Sequence, residues 1–236
     1  MALPKINHPI FELTLPSTKQ TIQYRPFVVR EEKILLVAQA SQEPKDMINA
    51  IRQVVTNCIV TEGVDVNEFA SFDLEYFFLK LRSKSVGNIV QLTYRDNEDE
   101  QLYTFDVDLD SINIVDQPNH TNTIDVPDGY KLTLRYPNSK LLDVAMSAED
   151  EGTLLYSMVK LCANTLYRDS EVYNFADQTE EEIDEFVSSL PVKCFEDMKA
   201  FLYTIPRIRH EIRYTNQLGN ERAITLQNLN DFFTLR

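Results

Sequence analysis

The chain has 236 residues, of which 43% are hydrophobic, 10% aromatic and 25% charged, with a formal net charge of -14. That apolar content supports one large domain or two to three small ones, and the ordinary charge fraction excludes global disorder. A surface this acidic cannot track a nucleic-acid backbone by bulk electrostatics and is repelled by anionic membranes, and no window reaches the roughly 18–20 apolar residues of a membrane helix.

Taken in chain order, the first elements form a hairpin. Ile10 to Leu15 alternates around Phe11, Leu13 and Leu15, and Thr21 to Tyr24 resumes the alternation after the turn Pro16-Ser17-Thr18-Lys19. Pro26 ends the second strand because it has no backbone donor. A helix is predicted from about Val29 to Ala40, with Glu31 and Glu32 in the first turn, where the helix dipole favours negative charge. Pro44 opens the next helix, whose stripe of Met47, Ile51, Val54, Val55 and Cys58 recurs at three- and four-residue spacing. A third helical stretch, around Ser71 to Leu81, carries Leu74, Phe77, Phe78 and Leu81.

The pattern then changes to period two. Ile89, Gln91 and Tyr94 mark one strand and Leu102 to Leu109 a second, joined by the charged turn Asp96 to Glu100. Asp116 to Thr123 reads as a polar loop, and Tyr130 to Tyr136 as a third strand stopped by Pro137. Helix returns with the stripe Leu155, Met158, Val159, Cys162 and Leu166. Thr179 followed by Glu182 matches a capping box, opening a helix that buries Ile183, Phe186, Val187 and Leu190. Pro191 starts another, with Phe195, Met198, Leu202 and Ile205 inward. Ile208 to Tyr214 and Ala223 to Leu226 form a closing hairpin around Leu218-Gly219-Asn220, with Gly219 free to take positive φ. Leu229 to Phe233 is a short end segment able to dock on the body.

The expected fold class is therefore α+β, with strands segregated from helices. Three consecutive segments are expected: an N-terminal β-hairpin with a helical layer (1–86), a small antiparallel β subdomain (87–145), and a helical C-terminal part closed by a β-hairpin (146–236).

No catalytic residue, metal ligand or cofactor-binding residue is expected. The five glycines are isolated, so neither a P-loop nor a dinucleotide fingerprint is present, and there is no G-x-S-x-G elbow. His8, His120 and His210 lack neighbouring ligands at metal spacing. Asp106-Val107-Asp108-Leu109-Asp110 opens like a calcium loop, but Ser111 and Gln117 stand where Gly and Glu are needed, which leaves a solvated strand face. Cys58, Cys162 and Cys194 are odd in number and far apart, which argues for core thiols in a reducing compartment. The N-terminus lacks a signal-peptide pattern, so synthesis and residence in cytoplasm are expected. The acids of Glu180 to Glu185 fit a solvated first turn. Charge is uneven: Asp96 to Glu151 holds 14 acidic and 3 basic residues, whereas Met198 to Arg236 holds 3 acidic and 6 basic. This asymmetry suits polar complementarity, within the chain or with a partner.

Four segments in order, reaching nearly from end to end, carry a resemblance. They are Leu13 to Lys19 running on through Tyr24-Arg25-Pro26-Phe27 to Leu36; Asp73 to Gly87; Leu134-Arg135-Tyr136-Pro137; and Tyr214 to Glu221 continuing to Leu229-Asn230-Asp231-Phe232-Phe233. Together they resemble the baseplate-hub family of T-even-type contractile-tailed phages. The resemblance implies a non-enzymatic protein of baseplate-hub assembly that binds other hub or tail proteins, in the host cytoplasm during tail assembly or in the virion. The start of the chain is also similar to tail assembly chaperones, whose partner is the tape-measure protein. A hub-associated cell-wall hydrolase is a third alternative, set back because glycoside hydrolysis needs a carboxyl in an apolar pocket and the acids here have polar contexts. Nucleic acid, membrane and cofactors are not expected partners, and the sequence leaves the oligomeric state open. The expected contact residues are Tyr24, Arg25, Pro26, Phe27, Asn216, Leu218, Gly219, Phe232 and Phe233, each of which could equally serve the fold as a core or turn residue.

Overall fold

The computed structural model describes residues 6–138 and 150–233. The chain begins with strands β1 (Phe11–Thr14) and β2 (Thr21–Tyr24), then helices α1 (Val29–Ser41), α2 (Pro44–Cys58) and α3 (Ser71–Ser85). Strands β3 (Ile89–Arg95), β4 (Leu102–Asp108), β5 (Ile114–Val115), β6 (Thr123–Val126) and β7 (Tyr130–Leu134) follow. After α4 (Glu151–Cys162) come β8 (Ala163–Arg168), β9 (Glu171–Asn174), α5 (Glu180–Ser189) and α6 (Val192–Tyr203). The described chain closes with β10 (Arg207–Ile208), β11 (His210–Thr215), β12 (Glu221–Leu226) and α7 (Leu229–Phe233). The fold is α+β, opened and closed by antiparallel hairpins.

Contacts divide the described residues into two compact units, where the sequence pattern suggested three consecutive segments. One unit runs to Val115 and resumes at Arg207; the other is Asp116–Pro206. The β3–β4 hairpin therefore groups with the N-terminal helices and the closing hairpin, and not with β6 and β7. The physical reason is shared burial: Leu92, Val107, Leu109 and Ile112 lie in one apolar cluster with Phe77, Leu79, Ile208 and Phe232. The boundary expected at 145 lies outside the described residues.

In the first unit, β1 and β2 pair with Phe11 opposite Tyr24 and Thr14 opposite Thr21. Alternation turns Ile22 and Tyr24 inward, to 0% and 2% exposure. Tyr24 meets Phe77 of α3 at 5.1 Å between ring centroids, and Phe69 approaches Phe77 at 6.1 Å. Full burial of a side chain the size of Phe77 contributes on the order of 2–3 kcal/mol. The predicted stripe of α2 faces this core, with Val54, Val55 and Cys58 fully buried. Helix α3 reaches Ser85, past the expected end at Leu81, and both its faces are covered. Its Lys80 is buried, and the ammonium donates to the carbonyls of Leu109, Asp110 and Ile112 at 3.0, 2.8 and 2.7 Å. Asp73, also buried, accepts from the Ser17 amide at 3.1 Å and from the Ser17 hydroxyl, which fastens the first hairpin turn to the helix.

The second unit holds one four-stranded antiparallel sheet in the order β6-β7-β8-β9. Ile124, Leu132, Leu166 and Tyr173 are successive partners across it and share a face. The first three of these, with Val159, Met198 and Phe201, belong to the unit's apolar cluster. Two sequence expectations change here. The predicted loop at Asp116 to Thr123 gives way to strand β6 at its end. Leu166 lies on β8 and not on a continued helix, because α4 stops at Cys162, where Arg135 caps its end by donating to the Leu161 carbonyl at 2.7 Å. In α6 the inward set includes Phe201, 2% exposed, while Ile205 lies beyond the helix.

Candidate docking surfaces

The predicted contact residues separate into a buried group and an exposed tip. Tyr24, Pro26 and Phe27 are all buried. Arg25 points inward to Glu31, donating from Nη2 at 3.0 Å, and also donates to the carbonyls of Pro26 and Asn57 at 2.9 Å each. Glu31 accepts in addition from the Arg30 Nε at 2.6 Å and from the Val28 amide at 3.0 Å. Arg25-Pro26-Phe27 thus joins the hairpin to the starts and ends of two helices. Phe232 is fully buried on α7, while the Phe233 side chain lies outside the described residues.

Leu218 is different: it stands 63% exposed at the tip of the β11–β12 hairpin, beside Gly219 at φ 86°. The Cβ of an L residue disfavours that backbone conformation, whereas glycine adopts it freely. Asn216 closes the turn beneath them, accepting from the Asn220 amide at 2.9 Å and donating to Glu98 at 2.6 Å. A network the sequence did not reveal braces the tip against the β3–β4 turn. Tyr214 donates its hydroxyl to the fully covered Asp96 carboxylate, and Arg222 donates to the same oxygen at 3.0 Å. Tyr103 donates to Asp99 at 2.6 Å, and Asp99 also takes the Gln217 amide at 3.0 Å. The Tyr214 ring sits 4.8 Å from Tyr103 and 5.2 Å from Phe105. Burial and then the Asp96 carboxylate push the Tyr214 hydroxyl up to about 12, while the hydrogen bond from Tyr214 holds Asp96 below the usual carboxylate range. The signal available in sequence was the run of polar turn residues at both ends, Asp96 to Glu100 and Asn216 to Asn220, but nothing in either run shows that the two meet.

A second surface of the same unit is an open groove of about 280 Å³ floored by Phe27, Met47, Ile51 and Phe78 and rimmed by Leu35, Leu36, Val86 and Leu229. Leu36 of α1 and Val86, just past α3, are 55% and 61% exposed, and Val29 and Val37 of α1 are 85% and 63% exposed.

The titratable groups with displaced pKa values have structural surroundings. Burial raises Cys58 to about 11 and Cys162 to about 12, so neither thiol ionises at neutral pH. His120 is lowered by burial; its ring nitrogens lie 2.9 Å from the Thr204 hydroxyl and 3.1 Å from the Tyr136 hydroxyl, and the ring stacks with Phe201. Glu75 alone reaches about 7, raised by burial and then by Asp231 and opposed by Arg207. Asp231 itself is occupied by the Gln227 and Asn228 amides at 2.7 and 3.2 Å. Among the described residues no three potential ligands gather to hold a metal ion, and no helix is long and apolar enough to cross a membrane.

A family model described as T4 bacteriophage base plate protein matches residues 8–234. No curated protein and no solved structure matches the chain.

Proposed function

The chain belongs to the T4 bacteriophage base plate protein family, and from that premise we propose that it builds the central hub of the baseplate by binding other tail proteins, without catalysing a reaction. The match over residues 8–234 carries this reading, since it takes in both units and both hairpins. Two structural features support it. Several displaced ionisable groups sit in pairs that hold the fold: Glu31 with Arg25, Asp96 with Tyr214 and Arg222, and Asp73 with the Ser17 amide and hydroxyl. The Leu218-Gly219 tip presents an apolar side chain on a turn fixed by Asn216, Glu98 and Asp96, so little conformational entropy is lost when a partner closes over it. In this reading Arg25 and Asn216 position the contact surfaces, and Tyr24, Pro26, Phe27 and Phe232 hold them from within.

The groove on α1 supports a second reading, a chaperone for the tape-measure protein. An apolar trough beside exposed Leu36 and Val86 suits one face of an amphipathic helix.

Probing purified mature particles with an antibody to the chain separates the two. Presence at the baseplate supports the hub component. Absence, together with hub failure when the chain is withheld during infection, supports an assembly factor. Normal baseplates formed without the chain overturn both. Within the hub reading, Leu218→Asp should lower incorporation at least fivefold while leaving the melting temperature within about 2 °C, the usual range for an exposed substitution.

A further inference from the structure

We infer that the cavity between the apolar face of the β6–β9 sheet and helix α5 receives an apolar side chain carried on a cationic segment of another tail protein. The inference deepens the proposal that the chain acts by binding, and it assigns a site in the second unit to which none of the predicted contact residues belongs.

The cavity measures about 460 Å³, within the roughly 300–1,000 Å³ of pockets that seat organic groups. Leu166, Tyr173, Phe175, Ile183 and Phe186 form much of its wall. Phe175 and Phe186 meet edge to face at 5.5 Å, so their rings are fixed before anything enters. Tyr173 is 47% exposed on β9, which is the outer strand of the sheet and pairs only with β8 among the described strands. An extended segment can therefore lie along β9 with one side chain turned into the cavity.

Charge selects the occupant. From Asp169 to Val192 the sequence has eight acidic residues and no lysine or arginine. Asp128 and Glu182 stand in the cavity wall, and no lysine or arginine does. The cations that flank this run in sequence, Arg168 and Lys193, and Lys160 of α4 are each paired, Lys193 with Asp197. Arg168 pairs with Glu171 at 3.1 Å, donates to the Asp128 carbonyl at 3.2 Å and lies 4.2 Å over the Tyr130 ring. Lys160 is held by Glu180 and Asp184 at 3.4 and 3.3 Å. Glu182 keeps its charge while accepting the Thr179 amide at 2.8 Å as a helix cap. Glu181 and Glu185 are exposed, and neither forms an ion pair among the described residues. An apolar well with an acidic rim repels phosphate-bearing ligands and favours lysine or arginine flanking an apolar residue.

A second copy of the chain suits the site poorly. The net charge of -14 makes copies repel. Two cations of the basic C-terminal stretch are already paired at home, Arg222 with Asp96 at 3.0 Å and Arg213 with Glu211 at 2.5 Å.

The test uses the full chain and three labelled peptides, read by fluorescence anisotropy at about 0.15 M salt, where long-range charge is screened beyond ~8 Å. The probe is Lys-Lys-Leu-Phe-Lys-Lys; one control replaces Leu-Phe by Ser-Ser, the other replaces every Lys by Glu. The expected result is saturable binding of the probe, at least tenfold weaker binding of either control, and at least tenfold loss in Tyr173→Asp. A double variant, Glu181→Lys with Glu185→Lys, changes only exposed side chains and should lose at least fivefold, which covers the case that Tyr173→Asp disturbs the sheet. Absence of saturable binding, equal binding of the serine control, or binding retained in both variants overturns the inference. A chain that fails this test yet is needed for baseplates docks elsewhere, whereas a chain dispensable for baseplates defeats the functional reading itself.

Discussion

Replacing Glu31 by Gln isolates the charge at the joint between the first hairpin and α1. The wild-type carboxylate is fully covered and takes hydrogen bonds from Arg25, Arg30 and the Val28 amide. Burial alone pushes the carboxyl up; the Arg25 and Val28 hydrogen bonds pull harder, and the net value falls from 4.5 to about 2. At ~1.4 kcal/mol per pH unit this corresponds to roughly 3 kcal/mol. Part of it comes from Arg30, which is 72% exposed and screened by solvent, so roughly 2 kcal/mol remains after discounting. Because the folded value lies below the unfolded one, the contribution is complete above about 4.5 and is lost as pH falls through about 2. Glutamine keeps an oxygen for the Val28 amide but leaves the Arg25 guanidinium, only 15% exposed, without its counter-charge. Urea unfolding at pH 7 should therefore place Glu31→Gln roughly 2 kcal/mol below wild type, and the gap should shrink by half or more at pH 3. A gap under about 0.5 kcal/mol at pH 7, or one of the same size at pH 3, refutes the assignment of Glu31 as an ionised joint.

Glu75 should behave in the opposite sense: its folded value is raised from 4.5 to about 7, so its ionisation opposes folding as pH rises through that window. Glu75→Gln should stabilise the chain by about 1–3 kcal/mol at pH 8 and by almost nothing at pH 4, measured by urea unfolding at both. Lys80→Met removes the donor for the Leu109, Asp110 and Ile112 carbonyls, and should cost about 2–4 kcal/mol in the same assay. The three buried cysteines, with thiols raised by burial, should resist a thiol-specific aromatic disulfide at pH 8 and react fully in denaturant.

Much of the fold was legible because burial imposes periodicity. The α2 stripe ending at Cys58, the alternation of β1 and β2 and the Thr179–Glu182 capping box all appear where spacing predicted them. Leu166 was misread because it sits four residues after Cys162, which continues a helical stripe, while the same residue alternates correctly within β8. A helix and a strand can share that spacing across their junction, and the arginine cap that ends the helix comes from Arg135, far away in sequence. Strand β6 was hidden for a related reason: its four residues expose Asp125 and bury only Ile124, too short a pattern to stand out from a loop.

The surfaces show the limit more sharply. The sequence left Tyr24, Phe27 and Phe232 open as contact or core residues, and all three are buried in the structure. Alternation in β2 turns Tyr24 inward, but that it meets Phe77, more than fifty residues on, is visible only in the fold. The acids from Glu180 to Glu185 do form a capped, exposed first turn, as their pattern suggests. Glu182 is explained locally by the helix cap and Glu180 and Asp184 by Lys160, and only the fold sets Glu182 beside Tyr173, Phe175 and a cavity of about 460 Å³. Local satisfaction of a charge therefore does not make its surface idle. Glu182 serves the cap through one oxygen while its negative potential still reaches into the cavity, so one side chain can fix the helix and select what docks against it.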